Sequence, residues 1–411
     1  MRALACRVCA LLALCASPWL LAQAPAQWTA GQPGESLEVA LLTVGPGDIY
    51  WQRFGHNAIW IRDRAGGTEV LYNYGIFDFA EPGFLFKFLR GDMYYSMAAR
   101  RPADDIAQYE FEQRRVSVQA LNLSPPQRIA LHDFLQWNAR PENARYRYDY
   151  FRSNCSTKVR DALDAALGGI IKASSSGRSR GNTRRSHAQR LTSPDLLVYL
   201  GVHAGLGPAT DQPIDFWDEM FVPMELQRRL REIRVRDDGG NDVALVASEI
   251  ESNEGHIAEP LNPPDWTRYF LASGLLLAAL LYWLGSAAGM RRRAFGVVAG
   301  ALWLVAGLGG IILLGLWFGT THDAAWRNYN LALFHPLCLL LLPTAWRALR
   351  GRTPQGRSGA WIAALIVASA VCAWLLLVLP GYRQQMIDWI ALWLPVHASA
   401  WWVLRRQPGA D

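Results

Sequence analysis

Apolar residues gather into long runs in the C-terminal third of the chain. Five runs are readable, at about 269–289, 294–318, 331–346, 360–379 and 387–404. A bilayer span takes roughly 17–25 residues, so each run is read as a transmembrane helix, the third and fifth being short ones. A further apolar stretch, Val8–Leu21, follows Arg2 and Arg7 and precedes Ala24-Pro25-Ala26. A positive start, a short apolar centre and a small-residue cleavage site make residues 1–26 a secretory signal peptide. Between these ends the periodicity shortens. Aromatic and β-branched segments predict strands at Ser36–Thr43, Asn57–Arg62, Glu69–Tyr74, Met93–Ala98 and Val116–Leu121. Ser124-Pro125-Pro126 opens a helix to about Asn138, and a second starts near Cys155, with Val159, Ala162, Leu163 and Ala166 at helical spacing. Helical character returns around 194–201 and 224–233. Strands and helices mixed around one core predict an α+β domain.

The expected organisation is a signal peptide at 1–26, an exported α+β domain at 27–235, a polar linker at 236–265 and a membrane domain at 266–406. Residues 173–190 are rich in Ser, Gly and Arg. They read as a mobile solvated loop, or as a basic flap that meets anionic headgroups.

Composition sharpens this picture. Hydrophobic residues make up 51% of the 411 and charged residues 18%, with 18 Trp. Ordinary soluble domains carry roughly 25% charged residues, so a disordered chain and a purely soluble enzyme are both excluded. The net charge of +6 lies mostly beside the apolar runs or in the 173–190 insert. That is membrane topology, and no nucleic-acid partner is expected. With the α+β domain exported, Arg291, Arg292, Arg293, Arg347, Arg350, Arg352, Arg357, Arg405 and Arg406 face the cytoplasm. Only Arg268, Arg327 and Arg383 flank the other side. The bias fits five spans and a cytoplasmic C-terminus.

Of six Cys, Cys6, Cys9 and Cys15 lie in the signal peptide, and Cys338 and Cys372 in apolar runs. Cys155 alone belongs to the exported domain, where it has no disulfide partner. It stands at a predicted helix start, where the dipole and free N–H groups favour a thiolate. His56, in Phe54-Gly55-His56-Asn57, is delivered by a turn to the head of an apolar strand and is the expected base. Each residue alone is more often structural; together they make a thiol–imidazole dyad the leading site. Asn57 and Asp78 are candidates to orient His56, and Asn154 and Ser156 flank the nucleophile as oxyanion candidates. The eight His include no His-Glu-x-x-His and no paired Cys ligands accompany them, so neither a metal nor another cofactor is expected. Tyr148, Arg184 and the polar loop residues His322, Asn328 and Asn330 are substrate-binding candidates.

Gly55-His56-Asn57-Ala58 and Asn154-Cys155-Ser156-Thr157 resemble the signature of the Lnb N-terminal periplasmic domain family. Tyr74-Gly75-Ile76-Phe77-Asp78-Phe79, Gly205–Asp211 and Trp217–Phe221 are similar to further blocks of it, and a five-helix membrane part is what that family carries. The resemblance implies a permuted papain-like (NlpC-like) thiol domain, with His before Cys, followed by a five-helix transmembrane domain. It implies a lipoprotein N-acyltransferase of the bacterial inner membrane. Such an enzyme takes an acyl chain from a phospholipid donor, holds it as a Cys thioester and passes it to the N-terminal amine of a lipoprotein. Lecithin:retinol acyltransferase-like enzymes share the residue order and the Asn-Cys pair. Two alternatives stay open on the residues alone: a periplasmic cysteine peptidase or amidase acting on cell-wall peptide, and a non-catalytic membrane assembly factor.

Overall fold

A computed structural model of the protein describes residues 32–237, 239–352, 357–379 and 381–406. The expected signal peptide lies outside them. The chain forms two compact units. One comprises the chain up to Phe77, Tyr94–Arg180 and Asp215–Glu259; the other comprises Asp78–Met93, Gly181–Ile214 and the chain from Pro260 onward.

The first unit is built on an antiparallel sheet. Its strands are β1 (Leu37–Val44), β2 (His56–Asp63), β3 (Thr68–Ile76), β4 (Tyr94–Arg100), β5 (Val116–Leu121) and β6 (Arg145–Arg147). A separate two-stranded ribbon joins β7 (Arg234–Arg236) to β8 (Asp242–Ala244), and β9 (Val246–Asn253) returns to the main sheet. The order there is β6-β4-β3-β2-β1-β5-β9. Both faces are covered, which is why β1, Leu-Glu-Val-Ala-Leu-Leu-Thr-Val, is apolar on both. On one face Leu41, Ile59 and Tyr72 pack with Leu131 and Leu135 of the Pro125–Asn138 helix and Val159 and Leu163 of the Cys155–Ala166 helix. On the other, Leu42, Ala58, Trp60 and Leu71 lie under Ile106 and Tyr109 of the Pro102–Phe111 helix.

The five expected strands form within two residues of their predicted ends. The expected linker does not: residues 246–253 are an edge strand paired with β5. Its polarity comes from its position. Glu249 serves Ser117 and Gln119 on β5 and Gln227 and Arg231 on the Pro223–Glu232 helix. Burial works against its charge, but Arg231 and the neutral donors prevail and hold it down at about 2. Acidic side chains also guard an exposed edge against further pairing.

The second unit holds the long apolar helices. Among the described residues, four stretches are long and apolar enough to cross a membrane: Thr267–Gly285, Met290–Gly319, Tyr329–Leu349 and Ser358–Leu376. The third is longer than the apolar run suggested, because two 3-10 turns around Pro336 lead into its α-helical end. A further 19-residue helix, Ile387–Arg405, carries Asp388, Pro395 and His397 and is less apolar. Small residues bring backbones together here. Gly274 lies against the backbone of Ala391 and Leu392, and Gly310 against that of Phe334, where a methyl group would collide.

Residues 181–214 and 78–93 belong with these helices rather than with the sheet. This redraws the expected boundary at 235. It also corrects the reading of residues 173–190 as a solvated loop, because Arg184–Thr192 is a helix. Thr183 caps it reciprocally with Ser186. Arg185 is 0% exposed; it donates to Asp211 and to the carbonyls of His203 and Leu206. A fully satisfied guanidinium can be buried, and sequence composition alone does not distinguish it from a solvated one.

Candidate active site

Cys155 is the first residue of its helix. The preceding Asn154 is buried and fixes that start. Its Oδ1 accepts from Thr157 N–H at 2.9 Å, Thr157 Oγ1 accepts from Asn154 N–H at 2.8 Å, and Asn154 Nδ2 donates to the carbonyls of Tyr150 and Phe221. Ser156 Oγ donates to Met220 O at 2.6 Å. The Asn-Cys-Ser-Thr run is thus a cap built around one half-buried thiol. Helix starts leave their N–H groups without internal acceptors. Here the N–H groups of Ser156 and of Asn57, on β2, both meet the sulfur.

His56 begins β2 and hydrogen-bonds Cys155. Its Nε2 lies 2.9 Å from Asn73 Oδ1, and Asn73 Nδ2 donates to Asp105 Oδ2 at 2.7 Å. The carboxylate accepts only, so it fixes which end of the Asn73 amide faces the ring. Oδ1 then accepts from Nε2–H, and Nδ1 is left for the thiol. Cys155, His56, Asn73 and Asp105 form one line.

The electrostatics follow from this line. Burial disfavours the thiolate, but the His56 imidazolium and the two backbone N–H groups outweigh it, and the Cys155 thiol falls below its ordinary value. Burial likewise disfavours a charged His56, and the neighbouring Cys155 and Asn73 outweigh it and raise the imidazole. The Arg114 cation opposes that rise. Arg114 is itself buried, donating twice to Gly45 O and standing 5.3 Å over the Tyr109 ring, which in turn faces His56.

The sheet's alternation explains which expectations hold. Successive side chains of a strand point to opposite faces. His56, Ala58 and, across the ladder, Asn73 share a face. Asn57 points to the other, where its Nδ2 donates to Thr43 Oγ1 at 2.9 Å. Its backbone, not its side chain, serves the thiol. The Asp78 carboxylate accepts from Ala80 N–H. The orienting group is therefore neither of the two expected but Asn73, backed by Asp105. A buried Asn inside the apolar run Leu71-Tyr72-Asn73-Tyr74 was the available signal. Asp105 gave none, lying in an ordinary polar helix. Gly75, with φ +91°, occupies an irregularity between β3 and β4, and a Cβ there would stand 3.5 Å from that of Cys155. Tyr148 joins the site wall. Its ring lies 4.2 Å from that of Tyr95, and burial, followed by the Cys155 charge, drives its phenol pKa up.

Residues 24–190 match the family model for the Lnb N-terminal periplasmic domain, and residues 268–405 match the model for the Lnb transmembrane domain. The chain belongs to the Lnb-type family. It is a membrane protein with a periplasmic domain, and the family points to lipoprotein modification at a membrane. No curated protein and no solved structure matches it. In this Lnb-type chain the dyad and Asn73 fall inside the periplasmic match, whereas Gly205–Asp211 and Trp217–Phe221 lie between the two matched regions.

The remaining expected binding residues belong to the second unit. Asn328 Nδ2 donates to the carbonyls of Ala204 and Leu206, and Asn330 Nδ2 to that of Ala204. Both side chains are buried and tie the loop to the Leu196–Gly205 helix. His322 Nε2 lies 3.0 Å from Phe88 O, and Arg184 is the first residue of its helix. These contacts hold the Lnb-type membrane unit together. No group of three or more metal-ligating side chains exists among the described residues.

Asp105→Ala is expected to slow turnover about ten- to hundredfold, the worth of one charge-assisted hydrogen bond. It frees the Asn73 amide to rotate and present Nδ2 to the ring. Asp105→Asn keeps an acceptor and restores most of the rate. The pH profile of Cys155 alkylation separates this from a folding defect, because it moves upward only if the line to His56 is broken.

Proposed function

We propose that this chain is a cysteine acyltransferase of the bacterial inner membrane, acting at the outer leaflet. It moves an acyl chain from a phospholipid, through a Cys155 thioester, to the N-terminal amine of a lipoprotein. The observation that carries the reading is the Cys155–His56–Asn73 line, with two backbone N–H groups on the sulfur, in a chain that also holds a transmembrane domain. A soluble hydrolase has no need of that domain. A diacyl lipid buries dozens of methylenes at about 0.8 kcal/mol each and stays in the bilayer. A permuted papain-like thiol domain is consistent with His56 preceding Cys155 and with a nucleophile at a helix start against an antiparallel sheet.

In the first half-reaction the Cys155 thiolate attacks the ester carbonyl, the C–S bond forms and the C–O bond breaks. His56, holding the thiol proton, returns it to the departing glycerol hydroxyl. The N–H groups of Asn57 and Ser156 stabilise the oxyanion. In the second, the lipoprotein amine attacks the thioester, His56 accepts its proton, the C–N bond forms and the thiolate leaves. Neither half needs a metal or another cofactor. The test is mass spectrometry of lipoprotein N-termini in cells with and without the protein. An N-acyl chain that depends on the protein is expected; unchanged N-termini together with cleaved cell-wall peptide would establish the peptidase reading instead.

The same reading has five spans and a cytoplasmic C-terminus. A reporter active only in the periplasm, fused after Asp411, is expected to stay silent. Full activity would mean that a span is miscounted or that the α+β domain is not exported.

A further inference from the structure

Residues 78–93 leave the sheet after β3 and form a short helix, Phe84–Arg90, in the membrane unit. The helix turns apolar side chains outward: Leu85 is 68% exposed, Phe86 63% and Leu89 58%. Positions 85, 86 and 89 share one helical face. Phe84 and Phe88 take the opposite side, half-buried and stacked on each other. A contiguous apolar face on an exported segment needs a partner.

Its attachment says which. Thr321 N–H donates to Arg90 O at 2.7 Å, Thr321 Oγ1 lies 3.1 Å from the same oxygen, and His322 Nε2 lies 3.0 Å from Phe88 O. Gly91, with φ +82°, closes the helix against Thr321 and His322. These contacts fasten the helix two residues beyond the end of Met290–Gly319, a membrane-spanning helix. That helix starts with Arg291-Arg292-Arg293, and its apolar run from 294 to 318 rises about 37 Å, against a hydrocarbon core of about 30 Å. With the arginines at one surface, Gly319 lies at the other, among headgroups. Phe318, on the last turn of that helix, is also apolar and 74% exposed.

We propose that Phe84–Arg90 is an interfacial helix whose Leu85, Phe86 and Leu89 insert into the bilayer leaflet nearest the end of Met290–Gly319. The exposed Arg90 sits at headgroup depth, where anionic lipid would favour it. The helix is covalently continuous with β3, beginning eight residues after Ile76 closes that strand and nine after Gly75 beside Cys155. It would hold the leaflet to the chain that carries the acyl-transfer site. This deepens the acyltransferase reading, but its first test does not depend on that reading.

The full-length protein is placed in nanodiscs of phosphatidylethanolamine and phosphatidylglycerol, in a Cys155→Ser, Cys372→Ser background. Nitroxide labels go on Leu85→Cys, Phe86→Cys and Leu89→Cys, with Ala65→Cys as the aqueous reference. Oxygen is expected to relax the three helix labels more than a water-soluble nickel chelate does, with the reverse at position 65. Nickel accessibility equal to that at 65 overturns the proposal whatever reaction the enzyme performs. As a second measurement, Leu85→Ser, Phe86→Ser and Leu89→Ser are combined in the otherwise native chain. Turnover on bilayer phospholipid is expected to fall about tenfold or more, while Cys155 alkylation by iodoacetamide and turnover on a short-chain donor in micelles persist. Unchanged bilayer turnover, or an equal loss in micelles, would also overturn it.

Discussion

Cys155→Ala is expected to abolish acyl transfer while the protein still folds and inserts. Removing a covalent nucleophile costs on the order of 10⁵–10⁶-fold in rate, because no other group at the site can hold the acyl chain between donor and acceptor. The fold should tolerate the change. The helix start is fixed by the reciprocal Asn154 and Thr157 bonds and by Ser156 on Met220, none of which uses the sulfur. Cys155→Ser should be nearly as inactive, since a hydroxyl sits far above the range in which one imidazolium can hold it ionised. Two measurements check this in nanodiscs. One is transfer of a labelled acyl chain to a lipopeptide amine. The other is a hydroxylamine-sensitive label on the protein, present in the native chain and absent from the alanine variant. Transfer that persists in Cys155→Ala would end the nucleophile assignment.

The two ends of the line from Cys155 to Asp105 differ in how readable they are. Cys155 is legible because an exported chain with one thiol at a helix start is unusual, and His56 because a turn hands it to an apolar strand. Strand alternation is also legible, and with register it excludes the Asn57 side chain from the imidazole. Register is what the chain does not spell out: Ala58 pairs with Asn73 only once β2 and β3 are aligned. Asp105 comes from a helix 32 residues further on, and its pairing with Asn73 is purely tertiary. The buried arginines misled for a related reason. Arg185 and Arg190 read as solvated because composition registers charge and not acceptors. In the fold, carbonyls of His203, Leu206 and Pro260 receive them. Likewise β9 read as a tether because its acidic residues are those of an edge strand.

His56→Ala should cut acyl transfer about 10⁴-fold, the upper range for losing a general acid–base group. Its effect on the thiol itself is the more telling result, because two opposed influences change places. In the native site burial pushes the Cys155 thiol up, and the His56 imidazolium together with the N–H groups of Asn57 and Ser156 pulls it down further than burial lifts it. The imidazole moves the opposite way, its pKa raised by Cys155 and Asn73 against burial. Both shifts favour the thiolate–imidazolium form of the pair over the neutral one. Alkylation by iodoacetamide should stay fast on the acid side of pH 8.5, the ordinary thiol value, and fall only when acid protonates the sulfur. Without His56 the cation is gone and burial remains, opposed only by the N–H groups of Asn57 and Ser156. The thiol should then titrate at or above its ordinary value, and alkylation at pH 7 should drop at least about tenfold, one decade per pKa unit. The full-length protein, alkylated across pH 5 to 10 and followed by intact mass, gives both curves. Superimposable profiles for the native and His56→Ala proteins would mean that the imidazole does not charge the thiol. His56 would then act only on the proton of the incoming amine.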